Sequence, residues 1–512
     1  MNLAQAAVAI AIFGLTQIQA ATPAGVGDSQ RVSTRPNIVV ILADDMGYGD
    51  VQALNSSSKI PTPNLNQLAK SGLSFTDAHS PSAVCTPTRY GLLTGRYCWR
   101  SRLKKGVLGG YSEPLLEPSQ ATIPSMLKKH GYQTSCVGKW HLGMKLPYKP
   151  DAKADESWAG DPGIHFEGTI TDSPIHHGFD RYFGVCASLD MPPYVYIRND
   201  RFASVPTLQQ PAVKFPHFVR EGPRSADFVI EDCLDKLTGE AIAEIRRMDQ
   251  QAEPWFLYMP LTGPHKPTQP HQRFRGKTGL NEYGDFVHQV DWTVGQVLNA
   301  VKQGKHSDNT LVIFTSDNGS YMRKLSDDQT GHVEDPQVQG YLQQDHQANL
   351  HWRGTKADVW EAGHRVPFFV SWPSQIEAAG SRSSTITHTD IYATLADAAS
   401  ASESLSPNEA EDSLSIVPMF SDAGATRSVP VINHSASGMF ALRSGPWKLV
   451  AGNGSGGREQ PRGKPFEKPF QLFHLEDDPS EVRDVASQHA DVVEDLTKQL
   501  ESLMKNSGRS RK

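Results

Sequence analysis

Cysteine is scarce: Cys85, Cys98, Cys136, Cys186 and Cys233 are the five in 512 residues. That is no disulfide framework, an odd count leaves at least one thiol unpaired, and no C-x-x-C pair stands at zinc-site spacing. Four of them read as small buried apolar residues, with Cys85 the exception. An excess of basic charge is also missing. Lys and Arg number 50 against 56 Asp and Glu, a formal charge of −6. A nucleic-acid partner, which needs a basic face to neutralise phosphates, is therefore not expected, although one pocket's field can still favour an anion. After the N-terminus no apolar run reaches the ~20 residues of a spanning helix, so no membrane span is expected. With 38% hydrophobic and 21% charged residues the chain can bury a core, which excludes disorder and collagen. No internal repeat is evident.

The N-terminus carries an apolar stretch, Leu3 to Leu15, followed by Ala20, Ala21, Thr22 and Pro23. This reads as a signal peptide over residues 1–21, cleaved near Ala20 or Ala21, although its first residues lack Lys and Arg. Periplasmic or secreted location is the matching expectation. At ~150 residues per domain the length suggests about three domains, but large α/β enzymes instead grow one big sheet.

Apolar runs and helical periods alternate along the chain. Asn37 to Leu42 reads as a strand buried on both faces, and Gln133 to Val137, Trp255 to Met259, Leu311 to Thr315 and Val366 to Val370 as further strands. Between them, Asn64 to Lys70, Ile123 to His130, Ala226 to Met248 and Phe286 to Val301 read as helices. The pattern predicts an α/β fold with a large, mostly parallel central sheet flanked by helices, over about 35–400. Residues 399–413 read as a linker or surface loop. From 425 to 505 short strands at Val429 to His434, Met439 to Leu442, Trp447 to Val450 and Phe470 to Leu475, then a helix from Gln488 to Met504, predict a smaller C-terminal α+β subdomain. Its Gly-rich, basic stretch Gly452 to Lys464 reads as a mobile loop.

In parallel sheets ligands bind outside the carboxyl ends of the strands. Asp44 and Asp45 follow the first strand, and Asp317 and Asn318 a later one. Three carboxylates and an amide oxygen suit Ca²⁺ or Mg²⁺, not zinc. Taken singly each pair could merely cap a helix, but two pairs at two strand ends favour a metal. Asp317→Ala is then expected to remove activity with little change in fold. A second constellation, Cys85-Thr86-Pro87-Thr88-Arg89 followed by Leu92-Leu93-Thr94-Gly95, has the form of a helix start, whose free amides favour an anion. Arg89 falls one turn from Cys85, and a helix N-terminus would lower a thiol's pKa. No triad context supports a thiolate nucleophile.

These residues resemble the type I, formylglycine-dependent sulfatases of the alkaline phosphatase superfamily. The C-x-P-x-R core with its downstream L-L-T-G matches that family's first signature, and Gly131 to Leu142, GYQTSCVGKWHL, matches its second. The resemblance implies that a separate maturation enzyme converts Cys85 to formylglycine, which hydrates to a gem-diol. It further implies that Asp44, Asp45, Asp317, Asn318 and the modified Cys85 ligate one Ca²⁺ or Mg²⁺. Arg89 and Lys139 would stabilise the gem-diol and the sulfate, and His141 would hydrogen-bond the second hydroxyl. His265 would face the leaving oxygen as its acid, with Lys266 as rival, and Lys356 would bind a sulfate oxygen. Many members have a second Gly where Ala362 stands, which touches a turn and not the chemistry.

The implied activity is release of sulfate from sulfate monoesters. Loops rich in Arg, Lys, His, Trp and Tyr, expected as pocket walls (Arg100 to Tyr111, Tyr148 to His177, Met191 to Pro223, Lys324 to His351 and Gly452 to Lys464), favour a sulfated carbohydrate, with aryl sulfates as surrogates. The alternatives are a phosphomonoester or phosphonate hydrolase of the same superfamily and a non-catalytic sulfated-glycan binder. The latter would not need Cys85 or the set Arg89, Lys139 and His141.

Overall fold

The segment NIVVILAD, Asn37–Asp44, is apolar without alternation because both of its faces are buried. Ile38, Val40 and Leu42 pack into one core with Tyr90, Leu93, Met126, Ile391 and Leu395. Val39, Ile41 and Ala43 pack into another with Leu65, Leu237, Ile245, Val287 and Val290. The computed structural model describes residues 35–152, 158–377 and 379–505, and the expected signal peptide lies outside them. Among the described residues no helix is long and apolar enough to cross a membrane.

The strand Asn37–Asp44 is central to a ten-stranded mixed sheet. Thr310–Ser316 runs parallel on one side of it. On the other side Trp255–Pro264, Gln133–Lys139 and Arg181–Val185 follow in parallel. The mostly parallel centre is as expected, but antiparallel pairs flank it on both sides. Phe368–Ser371 pairs antiparallel with Thr310–Ser316, so this apolar run is buried without a parallel neighbour. Gly138, at φ 140°, lets the end of the strand Gln133–Lys139 pass its neighbour, because a Cβ there would sit 1.9 Å from the Pro260 carbonyl oxygen.

Helices cover both faces: Pro63–Ser71, Cys233–Met248 and Asn281–Lys302 on one, Cys85–Thr94, Ile123–Lys129 and Asp390–Ala398 on the other. The helix expected from Ala226 begins at Cys233, after a 3₁₀ turn at Ile230–Asp232. The expected surface character of 399–413 fails at its end. Asp412 takes a bidentate contact from Arg100, Glu411 pairs with Arg96, and both carboxylates are buried.

Val431–His434, Phe440–Ser444, Trp447–Val450 and Gln471–His474 form an antiparallel four-stranded sheet. Leu496 and Leu500 of the terminal helix Ala490–Lys505 pack against its Ile432, Leu442 and Leu472. Residues 452–464 are not a loose loop. Gln471 Nε2 donates to the Gly452 and Gly454 carbonyls, and Asp358 accepts from the amides of Arg458 and Glu459. A buried ammonium ties this sheet to the larger one: Lys448 Nζ lies 3.0 Å from Glu361 and 2.8 Å from Glu481. Removing one member of such a cluster strands buried charge, so Lys448→Met is expected to cost ~3–5 kcal/mol of stability. A urea melt checks this, and a loss below ~1 kcal/mol, the range of exposed pairs, would contradict it.

Candidate active site

Four neighbouring strands end at one place. Thr310–Ser316 leads into Asp317 and Asn318, Asn37–Asp44 into Asp45, Trp255–Pro264 into His265, and Gln133–Lys139 ends in Lys139. All these side chains are buried. The site is thus the carboxyl edge of the parallel sheet, the position the topology favours for a ligand. Asp45 turns the chain at φ 68°, a left-handed conformation for which Asp is enriched. Its amide donates to Asp317 Oδ1 at 3.1 Å, which joins the two strand ends.

The expected helix start is present at Cys85–Thr94, with Pro87 in its first turn and Arg89 one turn from Cys85. Cys85 Sγ lies 3.6 Å from Asp44 Oδ1 and 3.5 Å from Lys356 Nζ. Each carboxylate has its own cation. Lys139 Nζ reaches Asp44 at 2.7 Å, Lys356 Nζ reaches Asp45 at 2.6 Å, and Arg89 Nη2 and Nε reach Asp317 at 2.7 and 3.2 Å. Arg89 Nη1 also donates to the Lys139 carbonyl at 3.0 Å.

Electrostatics follow from this burial. Burial disfavours the Arg89 guanidinium's charge, but Asp317 and Asp44 overcome it and hold the group protonated. Burial likewise opposes the Asp317 charge, and Arg89, Lys139 and Lys356 overcome it. At Asp44 burial dominates, aided by Asp317 and Asp45, and pushes the carboxyl up despite Lys139 and Arg89. The Cys85 thiol is also driven up, first by burial and then by Asp317. The helix N-terminus therefore does not produce a thiolate, which corrects the sequence expectation: at this helix start the carboxylates and desolvation outweigh the dipole.

The two histidines are held in opposite tautomers. His141 Nε2 lies 2.8 Å from the Leu108 carbonyl and so carries the proton, which leaves its buried Nδ1 as a free acceptor. His265 Nδ1 donates to the Lys266 carbonyl at 2.5 Å, and its Nε2 edge lies 3.6 Å from Asp45 Oδ2. Burial lowers both pKa values, with Lys139 and Arg89 adding at His141 and Lys356, Lys139 and Lys266 at His265, so both rings are neutral.

The donor set fits a hard divalent cation. Asp44, Asp45, Cys85 and His265 hold potential ligand atoms within 4.8 Å of one another. Asn318 Nδ2 donates to Asp45 Oδ1 at 2.7 Å, while its buried Oδ1 has no hydrogen-bond partner. An orphaned amide oxygen beside crowded carboxylates is what an oxygen-loving ion satisfies. The charge count agrees: Asp44, Asp45 and Asp317 balance Arg89, Lys139 and Lys356, so a divalent ion leaves a surplus of positive charge for an anion.

Asp44, Asp45, Cys85 and His265 thus come together, with Lys139, Lys356, Arg89 and Asn318 in contact with them, while Asp317, expected as a ligand, lies outside that group with one oxygen taken by Arg89 and the other by the Asp45 amide. Asp190 is not among the residues singled out from the sequence, since it sits in an irregular loop with no periodic or motif signal. Its Oδ1 is buried, unpartnered and 4.0 Å from His265 Nδ1, while Arg220 takes its other oxygen. Ala362 proves harmless: it lies in the short helix Glu361–His364 and needs no left-handed backbone. The four other cysteines are free and buried, as expected.

A parallel α/β sheet with a carboxylate cage and an anion clamp at its carboxyl edge defines the class as an α/β hydrolytic enzyme of the alkaline phosphatase-like architecture. The family model described as Sulfatase matches residues 36–401. An N-acetylgalactosamine-6-O-sulfatase of Bacteroides thetaiotaomicron is 31% identical, over 93% of this chain and 94% of that protein. Arylsulfatase A of Bos taurus is 32% identical, over 81% of this chain and 74% of its own. A solved structure from work on glycosaminoglycan metabolism by Bacteroides thetaiotaomicron superposes with a TM-score of 0.78 at 30% identity, over 93% of this chain and 100% of that one. The chain belongs to the sulfatase family and is a sulfatase.

Proposed function

We propose that this sulfatase is an exported enzyme that removes sulfate from sulfated carbohydrates, using Cys85 matured to formylglycine and one Ca²⁺ or Mg²⁺. The observation that carries the reading is the charge-balanced cage around Cys85 in a chain of this family. The relative named for N-acetylgalactosamine-6-O-sulfate supports a sulfated sugar as substrate. The apolar segment Leu3 to Leu15 supports export. Asp44, Asp45, Asp317, Asn318 and the oxygen borne at position 85 would hold the ion. When bound, it supplies Lewis-acid stabilisation of charge on the sulfate. The hydrated aldehyde supplies two hydroxyls on one carbon, one to attack sulfur and one to release sulfate afterwards.

The remaining roles belong to side chains already fixed in place. Lys139, Arg89 and Lys356 hold positive charge where the sulfate's negative charge gathers, and none has to reorganise. His141 Nδ1, free to accept, takes the proton of a hydroxyl on residue 85 as a hydrogen bond. His265 turns its Nε2 edge toward the leaving oxygen. Burial first, then the field of Lys356, Lys139 and Lys266, keeps His265 neutral, and an arriving anion offsets that field and so favours protonation of the ring. Sulfate is expected from a panel of sulfated mono-, oligo- and polysaccharides, with the Cys85 peptide showing the mass of the aldehyde. Unmodified thiol after co-expression with a maturation enzyme, or no sulfate from any ester, would sink the reading.

The leaving group provides a further check. A phenol, pKa ~10, departs with little help, whereas a sugar hydroxyl needs a proton. His265→Ala is expected to slow sugar-sulfate hydrolysis by ~10²-fold or more beyond its effect on nitrophenyl sulfate. Equal losses in kcat/KM would reassign His265 to holding the sulfate and pass the acid role to Lys356 or Lys266.

A further inference from the structure

Tyr283 bridges the two chain segments that carry the cage. Asp45 opens the segment after the strand Asn37–Asp44, and Asp317 and Asn318 open the one after Thr310–Ser316. Tyr283 belongs to neither: it stands in the first turn of the helix Asn281–Lys302 and is fully buried. Its hydroxyl lies 2.6 Å from Asp50 Oδ2, 2.6 Å from Ser320 Oγ and 3.5 Å from the Asp45 carbonyl oxygen. One oxygen thus reaches Asp45 and Asp50 in the first segment and Ser320 in the second.

The protons can be assigned. Asp50 Oδ2 is an acceptor that also takes the Gly47 amide at 2.7 Å, so the phenol donates to it and the Ser320 hydroxyl donates to the phenol. Ser320 Oγ in turn accepts the Met322 amide at 3.1 Å. Asp50 Oδ1 takes His346 Nε2 at 2.8 Å. Asp50 is 0% exposed, and among the described residues its carboxylate meets no Lys or Arg, so these donors are what compensates its burial. The network continues to the sulfate clamp: the Ser320 carbonyl accepts the Lys356 amide at 3.0 Å and Asn349 Nδ2 at 3.0 Å. Both segments are packed without slack. A Cβ on Gly47 would sit 2.1 Å from the Ala348 carbonyl oxygen, and one on Gly319 would sit 1.8 Å from that of Ala362.

We propose that Tyr283 is a positioning residue of the ion site, which sets the separation of Asp45 from Asn318 through its paired bonds to Asp50 and Ser320. This rests on the reading that the cage holds Ca²⁺ or Mg²⁺. Asn318 stands two residues before Ser320, so loss of the hydroxyl frees the spacing on which an ion with fixed bond lengths depends. The Tyr283 ring is held separately, edge-on to Tyr321 with centroids 5.4 Å apart and beside Tyr341 at 6.1 Å. Tyr283→Phe therefore deletes the oxygen and keeps the packing.

Calorimetric titration of Ca²⁺, and separately of Mg²⁺, into matured protein stripped with chelator tests this. Tyr283→Phe is expected to raise the Kd of the ion about 10- to 100-fold, the range for losing a group that orients metal ligands. Tyr132→Phe is the control. Its hydroxyl is a buried donor to the Pro36 carbonyl at 3.0 Å, at the opposite end of the first strand, so its loss should lower Tm and leave the Kd unchanged. Ser320→Ala removes the other half of the bridge, and the double variant should bind no more weakly than the weaker single, because both changes break one connection. Should Tyr283→Phe not fold, Ser320→Ala against the same control gives the comparison. At saturating ion Tyr283→Phe should regain the wild-type kcat, since the residue acts through the ligands and not on the substrate. An unchanged Kd in Tyr283→Phe, a loss as large in Tyr132→Phe, additive losses in the double variant, or a kcat still depressed at saturating ion would each overturn the assignment. A wild type that binds neither ion refutes the ion reading and this inference with it, whereas wild-type binding undiminished in Tyr283→Phe refutes this inference alone.

Discussion

Cys85→Ala is expected to abolish turnover, a loss on the order of 10⁴-fold or more, as for other nucleophile deletions. The residue is 2% exposed, sits at the start of its helix, and lies within 3.6 Å of Asp44 and 3.5 Å of Lys356. No other nucleophilic side chain shares that position among the residues of the cage. An unmatured thiol does not substitute, because burial and the charges of Asp317 and Asp44 keep it protonated. Cys85→Ser sharpens the test. A serine left unmodified has one hydroxyl: it can attack sulfur once, but nothing on the same carbon expels the sulfate afterwards. At most one equivalent of leaving group is expected per chain, with the mass spectrum showing sulfate retained on the introduced serine. Sustained turnover by an unmodified serine variant would refute the need for two hydroxyls on one carbon.

The carboxylates and the amide of the cage could be read from the sequence because Asp44, Asp45, Asp317 and Asn318 stand at the ends of two apolar strands. Asn37 to Leu42 announces itself as doubly buried and Leu311 to Thr315 as a further strand, and sheet topology then places Asp44, Asp45, Asp317 and Asn318 together. Lys139 and His265 also follow strands, yet the family signatures identified them, since a lone Lys or His after a strand carries no chemical signature. What stayed hidden depends on long-range contacts. The antiparallel direction of Phe368–Ser371 leaves no mark in an apolar run. Burial of Glu411 and Asp412 rests on Arg96 and Arg100, more than three hundred residues away, and a segment rich in Ser and Glu reads as surface without them. The tethering of 452–464 depends on Asp358 and Gln471 in the same way. The thiol's pKa is illegible for the same reason: the helix start is local, but the carboxylates that oppose it come from two other strands.

Removal of the ion should be reversible in the wild type, with chelation ending activity and Ca²⁺ or Mg²⁺ restoring it. Asp317→Ala is expected to end activity as well, but not with an intact fold, contrary to the expectation from sequence. Asp317 accepts from Arg89 through both Nη2 and Nε, and its other oxygen accepts from the Asp45 amide. Arg89 is 0% exposed, so truncating Asp317 leaves a guanidinium in the interior with only Asp44, at 3.5 Å, to oppose it. Breaking a buried pair in this way costs ~3–5 kcal/mol, a large part of a domain's stability. Asn318→Ala separates the two effects. Its Nδ2 bonds Asp45 and the Gly319 carbonyl, while its Oδ1 is free, so the variant loses an oxygen donor without stranding a charge. Thermal unfolding of the three proteins, with chelator and with added Ca²⁺ or Mg²⁺, reads both quantities. An ion at 100 times its Kd stabilises the folded state by about 2.7 kcal/mol, so the wild type should gain Tm on addition and Asn318→Ala should gain less. Asp317→Ala should melt lowest under every condition and recover little with the ion. Full activity in metal-stripped wild type would remove the ion from the mechanism, and an Asp317→Ala protein as stable as its parent would show that Arg89 does not depend on that carboxylate.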